Sequence, residues 1–163
     1  MSRMIKIFVD ADACPVKDEV YVVATRCGLP VVLVANSRMS VPSGFGVELV
    51  VVDRDADAAD DWIAAHVHRS DVVITSDIPL AARCLSAGAH VLGTDGRPFT
   101  EDSIGDALAS RELNSDLRAM GIQHNGPRAL SERHRSRFLS RLDQMVHVAR
   151  REVSSAHPAK AAK

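Results

Sequence analysis

With 163 residues, 46% of them apolar and 25% charged, the chain has the composition of one globular domain large enough for a full hydrophobic core. No apolar run nears the roughly 20 residues of a membrane span, and the N-terminus has no signal-peptide layout, so a cytoplasmic protein is expected. The three cysteines, Cys14, Cys27 and Cys84, form no C-x-x-C pair and point to neither a disulfide framework nor a zinc knuckle, only to reduced and mostly buried thiols.

Short β-branched runs alternate with helical patterns through the first two-thirds of the chain. Met4–Val9 reads as a strand and Pro15–Gly28 as a helix, with Pro15 suited to its first turn and Gly28 to its C-terminal cap. Val31–Ala35 is a second strand. A loop with Pro42, Gly44 and Gly46 leads to a third strand, Val47–Val52, and then to a helix over Ala56–His68. Val72–Thr75 is a fourth strand, Pro79–Ser86 a helix closed by Gly88, and His90–Leu92 a fifth strand. Apolar strands separated by helices imply βαβ units and a parallel sheet covered on both faces. Beyond them, Ile104, Leu108, Leu113, Leu117 and Met120 suggest one or two helices ending at Gly121. After a loop around Asn125-Gly126-Pro127, a final amphipathic helix is traced by Phe138, Leu139, Leu142, Met145, Val146 and Ala149. Residues 1–152 thus form one α/β domain, and 153–163 a tail expected to be disordered.

The net charge of −1 conceals a split. Residues 1–110 carry nine basic and sixteen acidic side chains, a balance of −7, whereas residues 111–163 carry eleven and five, a balance of +6. An acidic site region beside a basic surface that meets a polyanion is one reading, and solvated terminal helices the other.

The acidic residues of the first part are not scattered. Ligands of open parallel α/β sheets bind beyond the carboxyl ends of the strands. Asp10 and Asp12 follow the first strand, Asp77 the fourth and Asp95 the fifth. On the second helix Ile63 and Val67 mark the inward stripe, and three residues back from Ile63 is Asp60. Asp57 could reach the same region, and Asp61 should turn away. Each carboxylate also has a structural role open to it: Asp77 as a helix N-cap, Asp60 as a partner of the helix dipole, Asp12 as an acceptor for amides of the first helix, Asp95 as the turn residue of Thr94-Asp95-Gly96-Arg97. Several inward carboxylates repel one another unless a cation joins them, and oxygen-only donors favour Mg²⁺ or Mn²⁺ over zinc.

The stretches "VDADACPVKDEV", "LVANS", "DADAADDWI", "VITSDIPLA", "SREL…LRAMG" and "RFLSRLD" resemble the YaiI/YqxD family of uncharacterised bacterial proteins, from Met4 to about Val148. That family is grouped with PIN-like nucleases. The resemblance therefore implies a three-layer domain with a five-stranded parallel sheet of order 3-2-1-4-5, extra C-terminal helices, and an acidic Mg²⁺- or Mn²⁺-dependent site. Its pattern falls on Asp10, Asp60 and Asp77, with Asp12 from the family's own motif, as catalytic and metal-binding residues. The reaction implied is phosphodiester hydrolysis, with RNA as the partner. Lys17, Asn36, Ser76, Arg111 and Arg118 are the candidate substrate contacts, and Arg133, Arg137 and Arg141 form a basic stripe along the last helix.

Two other functions fit parts of the sequence. One is a catalytically silent PIN-like module that binds RNA or a protein. The other is a phosphatase of the haloacid-dehalogenase type, whose first motif is also D-x-D after a strand, although no lysine lies in the middle of the chain and Cys14-Pro15 follows the motif. The remaining signals read as structure: Cys14 as a packed thiol, Trp62 as a packing side chain, and His66, His68 and His90 as no ligand pattern.

Overall fold

The computed structural model describes residues 4–42, 46–55, 57–119 and 131–155, leaving aside the side chains of 13 and 111–119. Gly44, Met120, Gly121, the loop at Asn125-Gly126-Pro127 and most of the expected tail lie outside the described residues. The elements in chain order are β1 (Ile7–Asp10), a 3-10 turn (Ala11–Ala13), α1 (Lys17–Cys27), β2 (Val31–Ala35), β3 (Val47–Val51), α2 (Ala58–His66), β4 (Val72–Ile74), α3 (Ile78–Ser86), β5 (His90–Leu92), β6 (Pro98–Phe99), α4 (Glu101–Ala119) and α5 (Glu132–Ser155).

The strands form one sheet of order β3-β2-β1-β4-β5-β6. All neighbours are parallel except β5 and β6. The first five strands and their order are those expected. The sixth corrects the five-strand expectation. It is only two residues long and begins with a proline, which an edge strand tolerates because it has no outer neighbour to receive an N–H. The turn before it is built by Gly93 and Gly96: Gly96 N–H bonds Gly93 C=O at 2.9 Å, Gly93 N–H bonds Arg97 C=O at 2.8 Å, and Gly96 sits at φ +85°. This is a type I turn closed by a glycine bulge.

Side chains alternate across each strand, which divides the core into two layers. Ile7, Val9, Leu33, Val72 and Ile74 meet Val20 and Val23 of α1 and Phe138, Leu142, Val146 and Ala149 of α5. Phe8, Val32, Val34, Val73 and Val91 meet Ala59 and Ile63 of α2 and Leu80, Ala81 and Cys84 of α3. Of the residues that the sequence marked, Ile63, Val67, Phe138, Leu142, Val146 and Ala149 are buried, and Leu139 and Met145 are partly buried against the same core. Helix α1 starts two residues later than Pro15, with Val16 at the N-cap position and no side-chain cap bond, and ends in a Schellman motif. There Gly28 adopts φ +68°, Gly28 N–H bonds Thr25 C=O, and Leu29 N–H bonds Ala24 C=O. Pairing of β1 starts at Ile7 rather than Met4, because Lys6 N–H is taken by the Asp71 carboxylate at 3.0 Å.

Candidate acidic centre

The sheet reverses its winding direction between β1 and β4, and crevices at such points are where parallel α/β sheets hold ligands. Asp10 closes β1, and Asp77 lies just beyond β4. Asp10 has the parity of Phe8, so it faces the α2–α3 layer; it pairs with Val34 of β2 and lies one position past the last β1–β4 pair, Val9 and Ile74. Asp60, in the first turn of α2, comes to the same place from that layer.

Thr75 joins the two strand ends. Its buried hydroxyl accepts the Asp77 N–H at 3.0 Å and donates to Asp10 Oδ2 at 3.1 Å. Because the amide occupies the hydroxyl as acceptor, its own hydrogen is directed at Asp10. Sequence reading overlooked Thr75, although a hydroxyl ending the apolar run Val72-Val73-Ile74 was a signal: once buried, it needs partners. Asp77 is the N-cap of α3, its Oδ1 accepting Leu80 N–H at 2.9 Å, so the capping role is real. Capping uses one oxygen; Oδ2 makes no hydrogen bond among the described residues.

Asp60 makes no hydrogen bond to any described residue. Burial pushes its carboxyl up to about 6, and Asp77, Asp10 and Asp57 push in the same direction, while Arg83 opposes them. Asp10 is also raised, chiefly by burial, with Thr75 pulling back and Asp77 and Asp12 adding repulsion. Three carboxylates thus feel one another across the end of β1.

The other candidates have definite places. Asp12 does not serve the start of α1. Its Oδ2 accepts the Asn36 N–H at 2.7 Å, tying the turn after β1 to the end of β2. The Asn36 side chain donates to Asp53 C=O at 2.7 Å and holds the exit of β3. Lys17 Nζ donates to Cys14 C=O at 2.8 Å. Ser76 and Thr94 share a 2.6 Å hydroxyl–hydroxyl bond between the exits of β4 and β5. Asp95 is a turn residue, its Oδ1 accepting Arg97 N–H at 3.0 Å. Asp61 faces away, as expected, and pairs with Arg83 at 2.8 Å. Asp57 occupies the N-cap position of α2 without a side-chain cap bond. Arg111 and Arg118 lie on α4 where side chains fall outside the described residues. The Cys14 thiol is buried and raised by that burial, as a packed rather than nucleophilic thiol is. Trp62 packs between Phe8 and a stacked His66, with ring centroids 6.2 Å and 3.8 Å away.

The donors of this centre are carboxylate oxygens with one hydroxyl beside them, a set suited to a hard divalent cation rather than to zinc. Among the described residues no three Asp, Glu, His or Cys side chains are grouped closely enough to hold a metal as they stand. Mg²⁺ does not require such a cage, since it keeps several waters and is commonly held by one or two carboxylates together with substrate phosphate.

Among the described residues no helix is long and apolar enough to cross a membrane. No solved structure matches the chain. Its sequence is 53% identical over 150 residues to a UPF0178 protein of Rhodopseudomonas palustris (strain BisB5), an alignment that covers 91% of this chain and 92% of the relative. A UPF0178 protein of Nitrobacter winogradskyi is 52% identical over 151 residues, covering 93% and 96%. A UPF0178 protein of Caulobacter sp. (strain K31) is 54% identical over 150 residues, covering 92% and 99%. The model of the uncharacterised YaiI/YqxD family matches residues 8–148, nearly the whole α/β domain, and the chain belongs to that family.

Proposed function

We propose that the chain is a PIN-like, Mg²⁺- or Mn²⁺-dependent nuclease that hydrolyses phosphodiester bonds of RNA, with Asp10, Asp60 and Asp77 holding the cation and Asp12 beside them. The observation that carries this reading is the convergence of Asp10, Asp77 and Asp60, from β1, the end of β4 and α2, at the point where the sheet reverses. The order β3-β2-β1-β4-β5 supports the PIN-like assignment, because it is the order that assignment implies.

A bound divalent ion supplies neutralisation of the phosphate and activation of water near neutral pH. The residues do the rest. Asp60, with no hydrogen bond among the described residues, is free to turn toward a ligand. Asp77 is fixed by its cap bond to Leu80 N–H and offers Oδ2. Asp10 is aimed by Thr75, whose bond engages Oδ2 and leaves Oδ1. Lys17, in the first turn of α1, and Ser76, next to Asp77, are the substrate contacts in this reading, while Asn36 acts by holding the β3 exit.

A second reading, the silent RNA- or protein-binding module, is favoured by one observation: the carboxylates are not drawn into a closed ligand cluster. A cleavage assay separates the two. A fluorescent single-stranded RNA oligonucleotide should be cut by the wild type in Mn²⁺ but not in EDTA, and by neither Asp10→Asn nor Asp60→Asn in Mn²⁺. RNA left intact by the wild type with metal, under conditions where it binds, overturns the nuclease reading in favour of the silent module.

A further inference from the structure

A strip of exposed arginines reaches the same carboxyl edge of the sheet as the acidic centre, and the strip follows from how α5 is anchored. Two independent contacts bring the first half of α5 to the carboxyl edge of the sheet. Arg135 Nη1 donates to Pro15 C=O at 3.1 Å and to Glu19 Oε1 at 3.0 Å, beside the turn that carries Asp12. The β5–β6 turn presses on the same helix: a Cβ on Gly96 would stand 3.3 Å from Phe138 N and 3.4 Å from Arg137 Cγ. At the other end of α5, Glu152 accepts from Ser70 and is bonded to His90, at the amino ends of β4 and β5. The helix therefore runs from the carboxyl edge to the amino edge.

Arg133, Arg137 and Arg141 lie on one side of α5, spaced by four, over about 12 Å of helix. All three are exposed, and none forms a hydrogen bond or ion pair among the described residues. Arg97, on the abutting turn, is 81% exposed and only loosely paired, 3.8 Å from Asp95. Between this strip and Asp77 lies the exposed Ser76–Thr94 hydroxyl pair. The strip and the carboxylates thus share the carboxyl edge of the sheet, with the Ser76–Thr94 pair on that edge, and exposed cations in a row near an anionic centre match a chain of regularly spaced phosphates rather than a single anion.

We propose that Arg97, Arg133, Arg137 and Arg141 form the docking surface for the backbone of single-stranded nucleic acid, leading it over Ser76 and Thr94 to the acidic centre. This rests on the phosphodiester reading for its direction, while the binding itself is measurable without cleavage. The test is anisotropy of a fluorescent oligouridylate in EDTA across a salt series, for the wild type, Arg137→Glu/Arg141→Glu and Lys6→Glu/Arg151→Glu. The last pair makes the same charge change at the amino edge of the sheet. The first double variant should weaken binding and flatten the plot of log K against log salt by about 1.4, from roughly 0.7 per phosphate contact on single strands. The control pair should leave the slope near that of the wild type. Equal loss in both variants, absence of salt-dependent binding in the wild type, or binding to phosphatidylserine vesicles but not to the oligonucleotide overturns the proposal. Strip-dependent binding without metal-dependent cleavage removes the nuclease reading alone, and cleavage indifferent to the strip removes the docking surface alone.

Discussion

Two aspartates at opposite edges of the same pair of strands show how differently this fold uses a carboxylate. Asp71 enters β4 at the amino edge, is wholly buried, and accepts the Lys6 N–H at 3.0 Å and the His68 N–H at 2.8 Å. Asp10 leaves β1 at the carboxyl edge, is partly buried, and accepts one hydroxyl while facing other carboxylates. The first carboxylate is a structural fastener, since its oxygens satisfy one backbone donor at the entry to β1 and one in the turn between α2 and β4. The second sits half-buried among like charges, an arrangement that costs the fold stability rather than fastening it.

Equivalent substitutions should therefore have unequal effects. Asp71→Ala strands two backbone donors at about 1–3 kcal/mol each. A loss near 3 kcal/mol is expected, a fall in Tm of roughly 6–12 °C by thermal unfolding at pH 7. Asp10→Asn in metal-free buffer should leave Tm unchanged or raise it, because it removes one of several repelling charges and keeps an acceptor for Thr75. A drop comparable with that of Asp71→Ala would make Asp10 a second fastener and remove the contrast.

The pH dependence sharpens the same point. The Asp60 carboxyl rests at about 6 in the folded protein against an ordinary 3.8, so between those values the folded chain binds more protons than the unfolded one. Stability from this group is then complete below about pH 4 and declines as pH rises to about 6. The wild type should lose Tm over that window relative to Asp60→Asn, and parallel Tm profiles would contradict the raised carboxyl. The smallest effect is expected at Arg83→Ala. Its pair with Asp61 is exposed on both sides and contributes at most about 1 kcal/mol. Since Arg83 holds Asp60 down, the variant should move the Asp60 midpoint upward, read by carboxyl NMR titration, with little change in Tm.

Much of the scaffold was legible because single-strand patterns fix it. The bounds of β2 and β5 match the apolar runs Val31–Ala35 and His90–Leu92, and three-residue stepping from Ile63 picked out Asp60. Strand β6 was not legible, since two residues starting with proline carry no alternation; only the Asp95-Gly96 turn hinted at a hairpin. At the site, the sequence indicated which carboxylates share an edge, but not how each is held. The Thr75–Asp10 bond depends on β4 lying beside β1, 65 residues away in the chain, and the Asp12–Asn36 bond on β2 lying on the other side. Whether carboxylates stop short of ligating distance is a matter of side-chain rotamers, which composition and spacing do not encode.

The central claim is that the carboxylates at the end of β1 form a cation site, and calorimetric titration of Mn²⁺ into metal-free protein at pH 7.5 tests it most directly. The account predicts heat of binding in the wild type, its loss in Asp10→Asn with the fold intact by circular dichroism, and weakening of wild-type binding below about pH 6 as protons compete for Asp60. A wild type that binds no Mn²⁺, or an Asp10→Asn variant that binds it equally well, would contradict it.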